Sequence, residues 1–244
     1  MRPPAIAEAA GGAGPRTFRL LVFDWDGTLA DSTAIITHAI QQACRDLDLP
    51  APDDGRARFV IGLGLIDALR HVAPGLPATD YPRLSERYRH HYLARDPEIP
   101  LFAGAREMLD ELDARGFLLA VATGKTRAGL TRALQQQGLA HRFVATRCAD
   151  EGLPKPHPDM LLALMERCGV AAEHTLMIGD TTHDLELARN AGAAAVAVTY
   201  GAHSSAGLAG LSPLATLSSI GELAAWLRAN ARVAGNTTQP GDYT

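Results

Sequence analysis

Phe18-Arg19-Leu20-Leu21-Val22-Phe23-Asp24-Trp25-Asp26-Gly27-Thr28-Leu29 joins an apolar run directly to an acidic turn. Phe18 to Phe23 is a short apolar run, too short for a helix of ordinary length, and reads as a strand covered on both faces. Asp24 follows it without a spacer. Strands buried on both faces belong to parallel sheets, and parallel neighbours need crossover connections. The chain supplies these after Pro100. The pattern predicts a helix from Ala105 to Arg115 with Gly116 as its stop, then a strand from Phe117 to Ala122 ending at Thr123-Gly124-Lys125. A helix over Arg127–Gln137, a strand over Phe143–Thr146 and a helix over Asp159–Cys168 follow. The series ends with a strand over Thr175–Ile178 leading to Gly179-Asp180, a helix over Asp184–Asn190, a strand over Ala194–Thr199 and a helix over Ile220–Ala229. Strand and helix alternate, so the expected core is α/β with a doubly wound parallel sheet.

Working outward from Asp31, the chain changes character. Asp31 or Ser32 can cap a helix in which Ile35, Ile36, Ala39, Ile40, Ala43, Cys44 and Leu47 form one stripe, stopped by Pro50. Ala57 to Val60 leads into Gly62-Leu63-Gly64, a helix is expected over Leu65–Val72, a turn over Pro74–Pro77, and a polar helix over Pro82–Ala94. That last helix carries Arg83, Arg87, Arg89, His90 and His91, which read as a solvated face. No strand is visible between Asp31 and Ile99, which predicts an all-helical insert. The expected division is a core of residues 17–31 and 100–230, a helical cap of residues 32–99, and disordered tails at 1–16 and 231–244.

Composition narrows the function. The chain has 244 residues, 47% of them hydrophobic, with a formal charge of −4 from 23 Lys and Arg against 27 Asp and Glu. A protein that grips phosphate backbones carries a basic excess, so nucleic acid is not expected as a partner. No run has membrane-spanning length and the first residues lack a signal-peptide core, so a cytoplasmic protein without a membrane partner is expected. Cys44, Cys148 and Cys168 form no paired motif and read as small buried thiols. Asn236-Thr237-Thr238 matches a glycosylation acceptor by chance. Composition leaves the oligomeric state open.

In open α/β sheets ligands bind beyond the carboxyl ends of the strands. Those ends here give Asp24 and Asp26, then Thr123 and Lys125, then Lys155 in a following loop, then Asp180 and Asp184. Each alone has an ordinary structural explanation. Asp-Gly makes turns, Thr123 and Asp180 can cap helices, Lys155 can be a surface lysine and His183 a loop residue. Together, every strand end carries a group suited to phosphate or metal.

With these residues in place, the chain strongly resembles the haloacid dehalogenase-like hydrolase superfamily over about Phe18 to Ala229. Asp24-Trp25-Asp26-Gly27-Thr28-Leu29 matches its first motif, Thr123 the second, Lys155 in Lys155-Pro156-His157-Pro158 the third, and Gly179-Asp180 through Asp184 the fourth. Phe59 to Gly64 and Tyr200-Gly201 look most like phosphoglycolate phosphatase-like members. The resemblance implies a Rossmann-like core whose first strand lies between the second and the fourth. It implies Mg²⁺ held by Asp24, the backbone carbonyl of Asp26, Asp180, and Asp184 directly or through water. It also implies Asp24 as nucleophile, Asp26 as acid and base, and Lys155 as a restraint on Asp24. Thr123 and backbone N–H groups near Gly27 and Gly124 would donate to the phosphoryl oxygens. Gly62 and Gly64 would let the cap's backbone approach the substrate, a small phosphorylated metabolite in a small enclosed volume. Two other readings share parts of this pattern: a phosphomutase returning the phosphoryl group to a sugar, and a non-enzymatic phospho-acceptor module.

Overall fold

The structure is a computed structural model that describes residues 16–233. In its six-stranded sheet β2 (Leu20–Phe23), β3 (Leu118–Thr123), β4 (Ala145–Cys148), β5 (Thr175–Gly179), β6 (Ala194–Val198) and β7 (Thr216–Leu217) lie in the order β4-β3-β2-β5-β6-β7. All five pairings are parallel. The strand carrying Asp24 is therefore central, between the second and fourth strands, as the resemblance implies.

The period-2 alternation of β2 explains why its run is apolar throughout. Leu21 and Phe23 point into one core with Leu119, Val121, Leu176 and Ile178. Leu20 and Val22 point into the other with Ala120, Ala122 and Met177. Helices α5 (Ala105–Ala114), α6 (Arg127–Gln136) and α10 (Ile220–Asn230) cover the first face, and α7 (Asp159–Cys168) and α8 (Thr182–Asn190) the second. Each fully buried large side chain contributes about 1.5–3 kcal/mol. Truncating Phe23 to Ala would cost about 3–5 kcal/mol.

Between β2 and α5 the described chain is helical: α1 (Thr33–Arg45), α2 (Asp54–Phe59), α3 (Leu65–Val72) and α4 (Tyr81–Arg95), with two short 3₁₀ turns. These helices bury a cluster of their own, in which Ile35, Ile36 and Ile40 of α1 meet Leu69 of α3 and Leu84 of α4. The α1 stripe read from the sequence is the side it buries. α4 is less solvated than its composition suggests. Tyr81, Leu84, Ser85 and Tyr92 are buried, while Arg87 and His91 both reach Asp46 of the α1 terminus, at 2.6 and 2.8 Å. Arg83, Arg89 and His90 are exposed, as expected.

Several boundaries differ from expectation. Phe18 does not share a strand with Phe23, because a bend at Arg19 separates β1 (Arg16–Phe18) from β2. β1 pairs in parallel with β8 (Ala231–Val233), so Arg16 and residues 231–233 are ordered strand rather than tail. Tertiary contacts hold this ladder: Arg115 donates to the Ala231 carbonyl at 2.7 Å, and His174 Nδ1 lies 3.1 Å from the Thr17 carbonyl. The tails expected at residues 1–15 and 234–244, with Asn236, lie outside the described residues. β4 runs two residues later than Phe143–Thr146, because this edge strand carries partly exposed Thr146 and Arg147 that hide it. α8 begins at Thr182, not Asp184, behind a capping box in which Thr181 and Asp184 exchange hydrogen bonds. Helix α9 (Ser205–Ala209) and β7 were not anticipated, being too short to show a period. Cys44 and Cys148 are buried free thiols, and Cys168 is partly exposed. No helix among the described residues is long and apolar enough to cross a membrane.

Candidate active site

The sheet register brings the strand ends together. Phe23 pairs with Val121 of β3 and Ile178 of β5. Asp24 stands just past that row, with Thr123 and Asp180 flanking it. The Asp24 N–H still donates to the Ile178 carbonyl at 2.9 Å, so the backbone fixes the carboxylate's position. After Asp24 the chain closes a tight turn. Gly27 N–H donates to the Ala30 carbonyl at 2.9 Å, and Leu29 and Ala30 both donate to the Trp25 carbonyl. Gly27 has φ +87°, and a Cβ there would collide with the Asp180 carboxylate. Glycine is required at this point by both conformation and close approach. The Gly27 N–H itself is taken by the Ala30 carbonyl, so a donor to the phosphoryl group near Gly27 would be another N–H of this turn.

Asp24, Asp180 and Asp184 are fully buried, and one carboxylate oxygen from each lies within 4.8 Å of the others. Lys155, also buried, donates to Asp24 Oδ1 and Asp184 Oδ1, both at 2.6 Å. Asp180 accepts from the Thr28 hydroxyl at 2.8 Å and from the Ala202 N–H at 2.7 Å. Asp184 Oδ2 accepts from the Thr181 N–H at 3.0 Å and its hydroxyl at 2.7 Å. Asp24 Oδ2 alone in the trio is buried without a partner. A buried, unpartnered carboxylate oxygen is costly and calls for an occupant.

Three carboxylates share one ammonium here, and the electrostatics reflect it. Burial is the largest influence on Asp24. Together with the charges of Asp184 and Asp26 it pushes the carboxyl up to about 7, despite Lys155. Burial, with Asp24 and Asp184 beside it, also raises Asp180 well above the carboxylate range. Burial opposes the charge on Lys155, but Asp184 and Asp24 outweigh it and raise its pKa. An oxygen-only site with surplus negative charge and an unsatisfied oxygen fits a hard divalent cation. The side-chain donors are Asp24, Asp180 and Asp184; the Asp26 carboxylate lies outside this trio.

Asp26 faces a different neighbourhood. Its Oδ1 accepts from Ser32 at 2.7 Å and pairs with Lys125 at 3.1 Å. Lys125 in turn donates to the Tyr92 hydroxyl of α4 at 2.6 Å. The Lys125 N–H donates to Thr123 Oγ1 at 3.2 Å, which leaves the Thr123 hydroxyl hydrogen free to be donated. Asp26, Gly124 and Lys125 line a partly open cavity of about 440 Å³ between the core and the helical insert, larger than the small volume expected. Gly62 also lines it; its neighbour Gly64 instead faces Pro154 and Ala149. Gly124 is glycine because the insert presses on it: a Cβ would lie 2.5 Å from the Leu63 carbonyl oxygen and 2.7 Å from that of Gly62.

A second contact joins insert to core. His183 and His203 both place Nε2 on the Phe59 carbonyl, at 2.8 and 3.0 Å, and the Phe59 ring stacks on His203 with centroids 5.2 Å apart. The Thr182 N–H donates to His203 Nδ1, so Nε2 of that ring carries the hydrogen. Burial holds both imidazoles below their usual pKa. His183 is thus a buried strut rather than a loop residue. Lys125 was visible at its strand end; Thr28 lies within the first motif and Ser32 follows it. Tyr92, Thr181, Ala202 and His203 carried no sequence signal of their own.

The chain is similar to known proteins in sequence and in fold. A family model described as haloacid dehalogenase-like hydrolase matches residues 21–198. A protein of Dickeya dadantii (strain 3937) named Probable phosphatase IndB is 37% identical over 210 residues, covering 84% of this chain and 91% of that relative. The phosphoglycolate phosphatase of Vibrio cholerae serotype O1 is 32% identical over 197 residues, covering 76% and 86%. A solved structure of a hydrolase from Pseudomonas syringae superposes with a TM-score of 0.80 at 25% identity, covering 87% of this chain and 99% of that one.

Proposed function

The chain belongs to the haloacid dehalogenase-like hydrolases, and from that premise we propose that it is a Mg²⁺-dependent phosphatase acting on a small phosphomonoester through an aspartyl phosphate on Asp24. The observation that carries this reading is the buried Asp24 carboxylate, tied at Oδ1 to Lys155 and unpartnered at Oδ2.

Asp24 Oδ2 attacks phosphorus while the ester P–O bond breaks on the opposite side. Lys155 holds Oδ1 and so fixes the attacking face. Asp26 protonates the departing alcohol oxygen. It then takes a proton from a water whose oxygen attacks phosphorus, breaking the Asp24–phosphoryl bond and releasing inorganic phosphate. Thr123 donates its free hydroxyl hydrogen to a phosphoryl oxygen. Asp24, Asp180 and the backbone carbonyl of Asp26 would hold the cation. Asp184, which already accepts three hydrogen bonds, would contribute through water. When bound, the cation supplies charge neutralisation for the phosphoryl oxygens. The helices of residues 33–98 act as the cap that excludes bulk water. Phosphoglycolate, named for several relatives, is one candidate substrate; sugar and nucleoside monophosphates are others.

The test is phosphate release from a panel of phosphomonoesters, with Mg²⁺ and after exhaustive chelation. Metal-dependent release supports the proposal. Full activity in the chelated protein contradicts the metal assignment, and turnover only with a bisphosphate primer points to a mutase.

A further inference from the structure

Resting on the phosphatase reading, we propose that the alcohol part of the substrate is a bulky, largely apolar or aromatic group of about nucleoside size, not a two- or three-carbon acid. Asp26 decides the orientation. The residue that protonates the leaving oxygen must face the leaving group, and Asp26, not Asp24, Asp180 or Asp184, lines the cavity. The cavity is therefore the leaving-group side. Its volume of about 440 Å³ lies within the range of about 300–1,000 Å³ that holds drug-sized ligands. A glycolate would leave most of it filled with water.

The lining points the same way. Ile36 and Ile40 of α1, Val60 and Leu63 of the loop after α2, Leu65 of α3 and Tyr88 of α4 form its insert side. A short carboxylic acid esterified at the phosphoryl site needs a cation close to Asp26. The cation there is Lys125, already engaged by Asp26 at 3.1 Å and the Tyr92 hydroxyl at 2.6 Å. Arg132, another lining cation, is held by Asp96 at 2.5 Å. Arg89 lines the cavity from an exposed position one helical turn before Tyr92, so Lys125 is the lining cation in contact with Asp26. An apolar wall rewards a matching apolar group at about fourfold in affinity per buried methylene.

The experiment compares kcat/KM of the full-length protein, with Mg²⁺, for ethyl phosphate, 2-phenylethyl phosphate, 2-(1-naphthyl)ethyl phosphate and phosphoglycolate. The first three release similar alkyl alcohols, so their differences report the cavity rather than leaving-group chemistry. The expected result is a rise of about tenfold or more from ethyl to naphthylethyl phosphate, with phosphoglycolate well below the naphthyl ester. Ala128→Trp, which adds an indole at an exposed cavity-lining position of α6, should collapse the naphthyl-to-ethyl ratio towards one. A flat series, or preference for phosphoglycolate, overturns the inference while leaving the phosphatase reading intact. An unchanged ratio in the folded Ala128→Trp protein overturns the assignment of this cavity. Failure to hydrolyse any of the four esters overturns the phosphatase reading, and the inference with it.

Discussion

At the strand ends, Asp24, Asp180 and Asp184 are fully buried, and every carboxylate oxygen except Asp24 Oδ2 has a donor within 3.0 Å. Across the cleft, the wall facing Asp26 includes Ile36, Ile40, Val60, Leu63 and Leu65, side chains that fix nothing by direction. One side depends on placement, the other on volume. A buried polar cluster in low dielectric loses its function when one member changes, whereas an apolar wall changes by increments. The phosphoryl side should therefore respond to substitution in steps of several powers of ten, and the cavity side in small factors.

The sharpest break is Asp24→Asn. The amide is nearly isosteric, so circular dichroism should be unchanged while kcat falls by about 10⁴-fold or more. Near-normal turnover, with deamidation excluded by mass spectrometry, would remove Asp24 from the chemistry. Asp26→Asn is next, with a loss of about 10²- to 10⁴-fold. With 4-nitrophenyl phosphate, whose leaving group needs no acid, this variant should release a stoichiometric burst of nitrophenolate and then turn over slowly. No burst alongside slow turnover would mean that Asp26 serves the first step in another way.

Metal binding should show in stability as well as activity. Asp24 titrates at about 7 in the fold, above its ordinary value of 3.8. Between those values the folded protein holds more protons than the unfolded chain. The resulting stability is present in full below about 4 and is lost as pH rises through about 7. The chelated protein should therefore lose Tm across that window. Mg²⁺ at about 100 times its Kd should add about 2.7 kcal/mol above pH 7, and less as protons compete below it. Calorimetry with and without chelator from pH 5.5 to 8.5 reads this; a Mg²⁺ effect that grows towards acid would contradict it.

Two glycines, Gly124 after β3 and Gly64 before α3, sit where core and insert meet and separate the two sides further. Gly124→Ala drives a methyl against the Leu63 and Gly62 carbonyls. It should destabilise by about 1–3 kcal/mol and lower kcat/KM for all esters by displacing the insert. At Gly64 an added Cβ meets only ordinary contacts, with Pro154 at 3.5 Å, and Gly64→Val is the variant to compare. It should stay within about threefold of wild type, equally for every ester. A change in preference at Gly64 would restore the close approach to substrate expected of it from sequence.

The reacting residues were legible because each occupies a strand end, and strand ends announce themselves where an apolar run meets Asp, Thr or Gly-Asp. Asp24, Thr123 and Asp180 needed only that reading; their convergence needed the strand order, which the family resemblance supplied. What surrounds them was less legible. Asp184 was read for its chemistry, which hid its second role as the partner of the Thr181 cap that starts α8 at Thr182. Tyr92 reaches Lys125 from a helix whose Arg and His content suggested solvent. The β1–β8 ladder depends on contacts between residues more than 200 positions apart, which no local period records. The cavity lies between residues of α1, α3 and α4 on one side and of α6 on the other, a juxtaposition that the length of the insert does not measure.

The central claim, a covalent phosphoryl group on Asp24, is tested most directly by the stereochemical course at phosphorus. A phosphorothioate monoester made chiral at phosphorus with sulfur, ¹⁶O and ¹⁸O is hydrolysed in ¹⁷O-labelled water, and the configuration of the released inorganic thiophosphate is read by ³¹P NMR. Two successive in-line displacements, first by Asp24 and then by water, predict net retention. Net inversion, the mark of a single direct attack by water, would contradict the account.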